Sequence, residues 1–496
     1  MTNKFSRRLF MAATASLLGQ AAVATPPIIS LRPLARGTDH FKKAAEGGEA
    51  IISAAKLDGQ VGYSVFNAET GLRLEGYNSQ MGLPPASVAK AITALYALDT
   101  LGSSYRFTTR LFATGGVSEG VILGDLILVG GGDPTFNTDA LSGLAKALKS
   151  AGIREVRGAF KVDESALPYI QTIDQSQPDH VGYSPAISGI ALNFNRVHFE
   201  WRRADKGYGV TMDARSKRVR PEVSMAKMQV VKRSLPIYTY TDAEGLDHWT
   251  VARSALGNSG ARWLPVRKPA LYAGDVFQTL ARSQGIILKE PKVISRAPIG
   301  KLIASHQSDE LSSILKGMLR YSTNITAEMV GMSATLKRIG NVQNLESSAS
   351  EMNRWAEVTM GLQDIRLVDH SGLSGRSRMN SDDMVIALIK VDTKETLRPI
   401  LKPVAMRDNK GRPIKAHPIK VDAKTGTLNF VSGLAGYITA HDGTVMAFAI
   451  FAADNETRSQ LAKTNREAPQ GARPWNRRAK TMQQKLIKRW SLIYGT

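Results

Sequence analysis

Residues 82–102 read Gly-Leu-Pro-Pro-Ala-Ser-Val-Ala-Lys-Ala-Ile-Thr-Ala-Leu-Tyr-Ala-Leu-Asp-Thr-Leu-Gly. A Pro-Pro pair cannot sit inside a helix, so a loop must end at Pro85. After it, Val88, Ile92, Leu95 and Leu98 keep helical spacing, and Gly102 stops the run. The spacing predicts a helix over residues 87–101 that opens with Ser87. Lys90 follows three positions later, one turn along and on the same face. A lysine desolvated near other cations can be neutral and take a proton from a serine hydroxyl. Ser87 by itself reads equally well as a helix N-cap. Ser-x-x-Lys occurs four times, starting at Ser53, Ser87, Ser224 and Ser313. Only Ser87 combines a helix start with a loop that can turn its hydroxyl into a cleft.

Two further triplets add weight to Ser87. Ser322-Thr323-Asn324 falls between two helical patterns, 235 positions after Ser87. Ser-x-Asn supplies a hydroxyl relay and an amide able to hold a substrate carbonyl. Lys424-Thr425-Gly426-Thr427 heads a set of antiparallel strands, 102 positions further on. Lys-Thr-Gly on a strand supplies a cation and a hydroxyl for a carboxylate, and the glycine lets substrate backbone come close.

Other chemistries find less support. The eight histidines are scattered, with no His-x-x-x-His, so a zinc protease is not indicated. There is no cysteine, hence no thiolate nucleophile and no disulfide framework. Gly116-Val117-Ser118-Glu119-Gly120 has the spacing of a nucleophile elbow, but a strand follows it rather than a helix, so it reads as a hairpin turn. Gly130-Gly131-Gly132-Asp133-Pro134 lacks the spacing of a phosphate loop and reads as a tight turn.

The chain has 496 residues, a hydrophobic content of 43% and a charged content of 22%, values of an ordinary globular protein of two to four domains. With 65 Lys+Arg against 43 Asp+Glu, the formal net charge is +22. Residues 1–24 carry a basic start (Lys4, Arg7, Arg8), a short apolar run and the small-residue site Ala22-Val23-Ala24. They read as an export signal cut near Ala24, and Ser6-Arg7-Arg8-Leu9-Phe10 has a twin-arginine form. Export makes nucleic acid a poor partner for so basic a chain. An anionic wall polymer fits better, and any one basic cluster (216–233, 466–489) also reads as a solvated face.

Along the chain, helix-plus-sheet material at both ends brackets a different middle. A helix near 48–55 and strands at 61–66 and 72–76 come first, followed later by helices at 138–151 and 270–284. A strand at 121–129 and another at 286–294 flank a basic, strand-and-turn stretch at 205–265. Helices at 308–320, 325–338 and 347–360 follow. Strands at 427–430, 435–440 and 445–451 come next, the last two joined by Asp442-Gly443. In the closing helix, Met482, Leu486, Trp490 and Ile493 share a face suited to packing on a sheet rather than a membrane. The expected division is residues 25–104 with 297–496 as one discontinuous domain, 105–204 with 266–296 as an inserted domain, and 205–265 as a small β subdomain.

Ser-x-x-Lys, Ser-x-Asn and Lys-Thr-Gly in that order resemble the penicillin-recognising serine enzymes. The long first gap resembles the class C low-molecular-mass penicillin-binding proteins, the D-alanyl-D-alanine carboxypeptidase/endopeptidase (DacB-type) family. Residues 124–134, Tyr183-Ser184-Pro185, Ser305-His306-Gln307-Ser308 and 369–374 agree with it. The resemblance implies an α+β fold: a penicillin-binding/β-lactamase-like transpeptidase domain, an antiparallel sheet flanked by helices, split by an insertion forming two smaller β-rich domains. It implies a periplasmic enzyme acting on peptidoglycan peptides and inhibited covalently by β-lactams, with no metal and no cofactor. Ser87 would be the nucleophile, Lys90 the base and Ser322 the proton relay. Asn324, Lys424, Thr425, Gly426 and Thr427 would bind substrate, and the Ser87 and Thr427 N–H groups would form the oxyanion hole. Asp179 reads either as a partner for a substrate ammonium or as a surface acid. His370 stands where the family more often has glycine, and Thr427 where it more often has serine, which bears on substrate preference. A β-lactamase-like hydrolase and a non-catalytic wall-binding protein are the alternatives. Oligomeric state is not legible, and only weak membrane association is indicated, through the closing helix.

Overall fold

Two distant parts of the chain meet in one antiparallel sheet. Its strand order is Lys402–Pro403, Lys420–Leu428, Val431–Thr439, Val445–Ala453, Gln60–Asn67 and Arg73–Tyr77 in a computed structural model. The structure describes residues 45–495 except 298–299, 391–392 and 409. The export signal expected at 1–24 lies outside the described residues.

The join is Gln60–Asn67 against Val445–Ala453, in register from Gln60↔Ala453 to Asn67↔Met446. Val445–Ala453 is a continuous apolar run because both sheet faces are covered. Phe448 and Ile450 point to one face, where the closing helix Ala472–Tyr494 brings Met482, Leu486 and Trp490. Ala449 and Phe451 point to the other, where Ile92, Leu95 and Val385 pack. The closing helix therefore lies on the sheet, as its apolar stripe predicts, although Ile493 is only partly covered. Trp490 is fully buried, so its truncation to alanine costs about 3–5 kcal/mol.

The first helix of the apolar face is Ala89–Leu101, preceded by a single turn of 3-10 helix at Ala86–Val88. Ser87 thus sits in the tight turn and not on the helix proper. Leu311–Tyr321, Asn324–Ile339 and Leu345–Trp355 pack around it.

One strand differs from expectation in a way that matters. Residues 427–430 were expected as the strand; the strand is Lys420–Leu428, and the chain turns at Asn429-Phe430, where Phe430 has φ +56°. The alternating charges Lys420, Asp422 and Lys424 disguise it, yet Lys424 is only 1% exposed.

The insertion carries a five-stranded sheet in the order Pro291–Ile294, Phe160–Asp163, Leu126–Val129, Thr108–Ala113 and Lys301–Gln307. The expected strand at 121–129 is split into Val121–Ile122 and Leu126–Val129. Gly124 presses against the Thr114 carbonyl between the two pieces, where a side chain would not fit. Of the strand expected at 286–294, only Pro291–Ile294 pairs. Lys301–Gln307 pairs with Thr108–Ala113, so this sheet runs past residue 297. Arg196–Ala204 pairs with Gly207–Asp213 and Ser259–Pro265, so strand pairing also crosses the 204/205 edge. A single apolar cluster joins Phe160 of the larger sheet and Phe277 of the helix Pro269–Ser283 to Phe199 and Trp249 of the small sheets.

Candidate active site

The tight turn at Ala86–Val88 presents Ser87 to a cleft of about 1480 Å³ that Ser322, Asn324, Thr425 and Thr427 also line. Three chain segments far apart in sequence supply these groups. The turn is held from outside by glycines. A Cβ on Gly426 would stand 2.6 Å from the Pro85 carbonyl oxygen and 3.2 Å from the Ser87 nitrogen. Gly372, at φ +70°, abuts the Ala86 carbonyl so closely that no side chain could be built there. The close approach that Gly426 permits is therefore to the turn that bears Ser87. Gly426 also lines the cleft.

Lys90 is fully buried one turn below Ser87. Its Nζ lies 2.9 Å from Ser87 Oγ, 2.8 Å from Asn324 Oδ1 and 2.7 Å from the Ser371 carbonyl oxygen. Burial draws its ammonium down to about 8, against the opposing pull of Glu328 and Asp369. Glu328 is itself fully buried and accepts the backbone N–H groups of His370 and Ser371, each at 2.9 Å. Burial raises its carboxyl, and those N–H groups offset part of the rise. Asp369 accepts Gly372 N–H at 2.8 Å and Ser374 N–H at 2.7 Å, and burial raises it too.

Ser322 takes the left-handed conformation, φ +58°, at the end of Leu311–Tyr321. This turns its Oγ to within 3.0 Å of Lys424 Nζ, which also donates to the Thr425 carbonyl at 2.7 Å. Burial holds the Lys424 ammonium well below the usual lysine range, with Lys90 and Lys402 adding to the effect. Asn324 opens the next helix. Its Oδ1 accepts from Lys90 and its Nδ2 donates to the Tyr183 carbonyl at 2.9 Å, so the insertion reaches the site. One Nδ2 hydrogen is left for a substrate carbonyl.

Eight of the residues singled out from the sequence converge here: Ser87, Lys90, Ser322, Asn324, Lys424, Thr425, Gly426 and Thr427. Asp179 does not join them, because its carboxylate is ion-paired with Lys463 at 2.8 Å. His370 does not face the cleft either. It is fully buried behind Lys90, with Nε2 2.8 Å from Ser348 Oγ and its ring flat against Tyr96. Its link to the site runs from behind, through its backbone N–H to Glu328. Glu328 was not legible beforehand. The signal that exists is its position four residues after Asn324, one turn along the same helix, in an otherwise apolar run.

A protein-family model, the D-Ala-D-Ala carboxypeptidase 3 (S13) family, matches residues 49–472. A D-alanyl-D-alanine carboxypeptidase of Actinomadura sp. (strain R39) is 25% identical, with 94% of this chain and 93% of that protein covered. The D-alanyl-D-alanine carboxypeptidase DacB of Haemophilus influenzae is 24% identical over 82% of this chain and 88% of its own length. The crystal structure of penicillin binding protein 4 (dacB) from Haemophilus influenzae is similar in fold, at a TM-score of 0.69 and 20% identity. That similarity covers 85% of this chain and 98% of the other. A second structure of that protein, complexed with a novel β-lactam, aligns with a TM-score of 0.67, covering 88% of this chain and 99% of the other.

Proposed function

Because the chain belongs to the D-Ala-D-Ala carboxypeptidase 3 (S13) family, we propose that Ser87 is the nucleophile with which it hydrolyses D-alanyl-D-alanine peptides of peptidoglycan. The chain is a serine-type carboxypeptidase of the penicillin-binding class. The observation that carries the residue roles is the set of three acceptors around Lys90 Nζ. Neutral Lys90 keeps two hydrogens on Asn324 Oδ1 and the Ser371 carbonyl, both of which only accept. Its lone pair is then left for the third partner, Ser87 Oγ, which can donate.

Ser87 Oγ attacks the carbonyl of the penultimate D-alanine as its proton passes to Lys90. Backbone N–H groups of Ser87 and Thr427 stabilise the oxyanion. Ser322, polarised by Lys424, returns a proton to the leaving amine. Lys424 and Thr425, with Thr427 beside them, hold the terminal carboxylate, and Asn324 holds the substrate amide. Water then cleaves the acyl-enzyme. β-Lactams acylate the same Ser87 and leave slowly. The reading includes endopeptidase action on cross-links, the discontinuous catalytic domain with its insertion, and export to the periplasm by the signal at 1–24. No described helix is long and apolar enough to cross a membrane.

Intact mass after incubation with benzylpenicillin tests the reading. The expected result is one adduct on the wild type, slow to decay, and none on Ser87→Ala of unchanged melting temperature. Fast turnover of the drug without an adduct would point to a β-lactamase. No adduct and no turnover from folded protein would leave only a wall-binding role.

A further inference from the structure

The cleft does not end at Ser87. Past the Thr425-Gly426-Thr427 edge, it continues as a groove between the closing helix and the segment after Lys402–Pro403. Arg473, Arg477, Lys480 and Lys488 recur at helical spacing along one wall, and Lys402 and Arg407 stand on the other. The walls are tied at one end: Arg407 N–H donates to Gln484 Oε1 at 3.1 Å and Lys488 Nζ donates to the Arg407 carbonyl at 3.1 Å. From Arg473 to Lys488 the helix rises about 22 Å.

None of these six cations is ion-paired with a described carboxylate. The two acids that line the cavity, Asp408 and Glu467, are already engaged. Asp408 pairs with Arg412 at 2.9 Å, and Glu467 with Arg262 at 2.7 Å and His180 at 2.6 Å. Desolvation against the groove wall, then the nearby Lys402 and Arg407 charges, lower the Lys480 ammonium. Like charges held together along a concave surface focus a positive field and attract an anionic ligand. A terminal D-alanine is far smaller than the cavity, which exceeds the span of ordinary small-molecule sites.

We propose that this basic groove is the subsite for the leaving strand of a peptidoglycan cross-link, holding the carboxylates of the second stem peptide while Ser87 opens the bond. The proposal rests on the Ser87 reading above. Its continuity with the Thr425–Thr427 edge places the groove where a leaving group larger than alanine must go. In the step it serves, the Ser87 Oγ–acyl bond forms and the C–N bond to the second strand breaks. The proton from Ser87 leaves on that strand's amine, and water later releases the acyl group.

The test compares wild type with Arg477→Glu/Lys480→Glu, and with Arg478→Glu/Lys292→Glu as a control of equal charge change outside the groove. The probes are benzylpenicillin, a soluble pentapeptide ending in D-Ala-D-Ala, and sacculi stripped of attached phosphate polymers. The expected result is a loss of about tenfold in cross-link opening and sacculus binding for the groove variant only. Penicillin acylation and pentapeptide hydrolysis should stay within about twofold. Raising salt should weaken the wild type on sacculi and leave the groove variant nearly unchanged. Equal loss in both variants, or no loss in either, overturns the proposal. So does a loss that appears only with unstripped walls, which would assign the groove to a phosphate polymer. Failure of penicillin to label the wild type would instead sink the Ser87 reading beneath it.

Discussion

Charged Lys90 has three hydrogens and three acceptors around it; only the neutral form can take the proton of Ser87. With the ammonium drawn down to about 8, roughly one molecule in ten is ready at pH 7. Penicillin acylation should therefore rise with pH through a midpoint near 8 and then level. Quenched-flow mass spectrometry reads it, and a flat profile from pH 6 to pH 10 would exclude Lys90 as the base. Glu328→Gln removes an anion that favours the charged lysine, so its midpoint should move to lower pH. It also places an amide hydrogen against a backbone N–H, at a cost in stability of about 1–3 kcal/mol. At the neighbouring turn, Gly426→Ala would push on the Pro85 carbonyl and displace Ser87. Its acylation rate should fall by about a hundredfold, with a stability loss of only about 1–3 kcal/mol. A variant that acylates at the wild-type rate would show that the turn is not held from that side.

At the scale of elements, Asn324–Ile339 meets the buried His370 ring at Gly331, where a Cβ would overlap the ring. Burial holds the His370 imidazole down at about 3, far below its ordinary value. The sign follows from proton counting. Below pH 6.5 the unfolded chain takes up a proton on this side chain and the folded chain does not. Its contribution to stability is thus complete above pH 6.5 and lost as pH falls toward 3, at up to about 1.4 kcal/mol per pH unit. Urea midpoints at pH 7 and pH 5 should separate more for the wild type than for His370→Gln. Equal separation would mean that the ring is protonated in place. The helix Ala89–Leu101, buried on all sides over Ala89–Ala97, was legible to within a few residues because its apolar spacing stops at Gly102, and the sheet-facing stripe of Ala472–Tyr494 was legible because one face must be covered. The strand bearing Lys424 was not, since Lys424 is a buried charge at a position where the alternation set by Val421 and Ala423 calls for an exposed side chain. The carboxylates that act on Lys90 were invisible for a different reason: only the folded chain brings Glu328 and Asp369 beneath it.

Over the whole molecule, residues 179–262 are fastened to residues 463–467 across the mouth of the cleft. His180 and Arg262 of the insertion share the Glu467 carboxylate, and Asp179 pairs with Lys463. The His180 bond, then Arg262, hold Glu467 down at about 2. Exposed pairs of this kind are each worth about 0–1 kcal/mol, so the fastening is light. Glu467→Gln should speed hydrogen exchange in residues 176–184 and 460–468 by up to about tenfold, with Val431–Thr439 unchanged. Equal exchange in the wild type and Glu467→Gln would show that the two segments are held elsewhere. The order of motifs and the length of the gap between them made the split architecture legible. The edges of the split were less so, because the Lys301–Gln307 strand returns to the insertion's sheet from beyond its expected end.

The strand bearing Lys424 lies next to the rim of its sheet, and its outer neighbour is only two residues long, pairing Lys402 with Ala423 and Pro403 with Asp422. From Lys424 to Leu428 no described strand lies on that side. A short peptide chain arriving at Ser87 can therefore dock by main-chain pairing, as a temporary seventh strand, before any of its side chains is read. Recognition of that kind depends on backbone length and handedness more than on sequence. It suits an enzyme whose substrates differ in their side chains but share an extended, D-configured end.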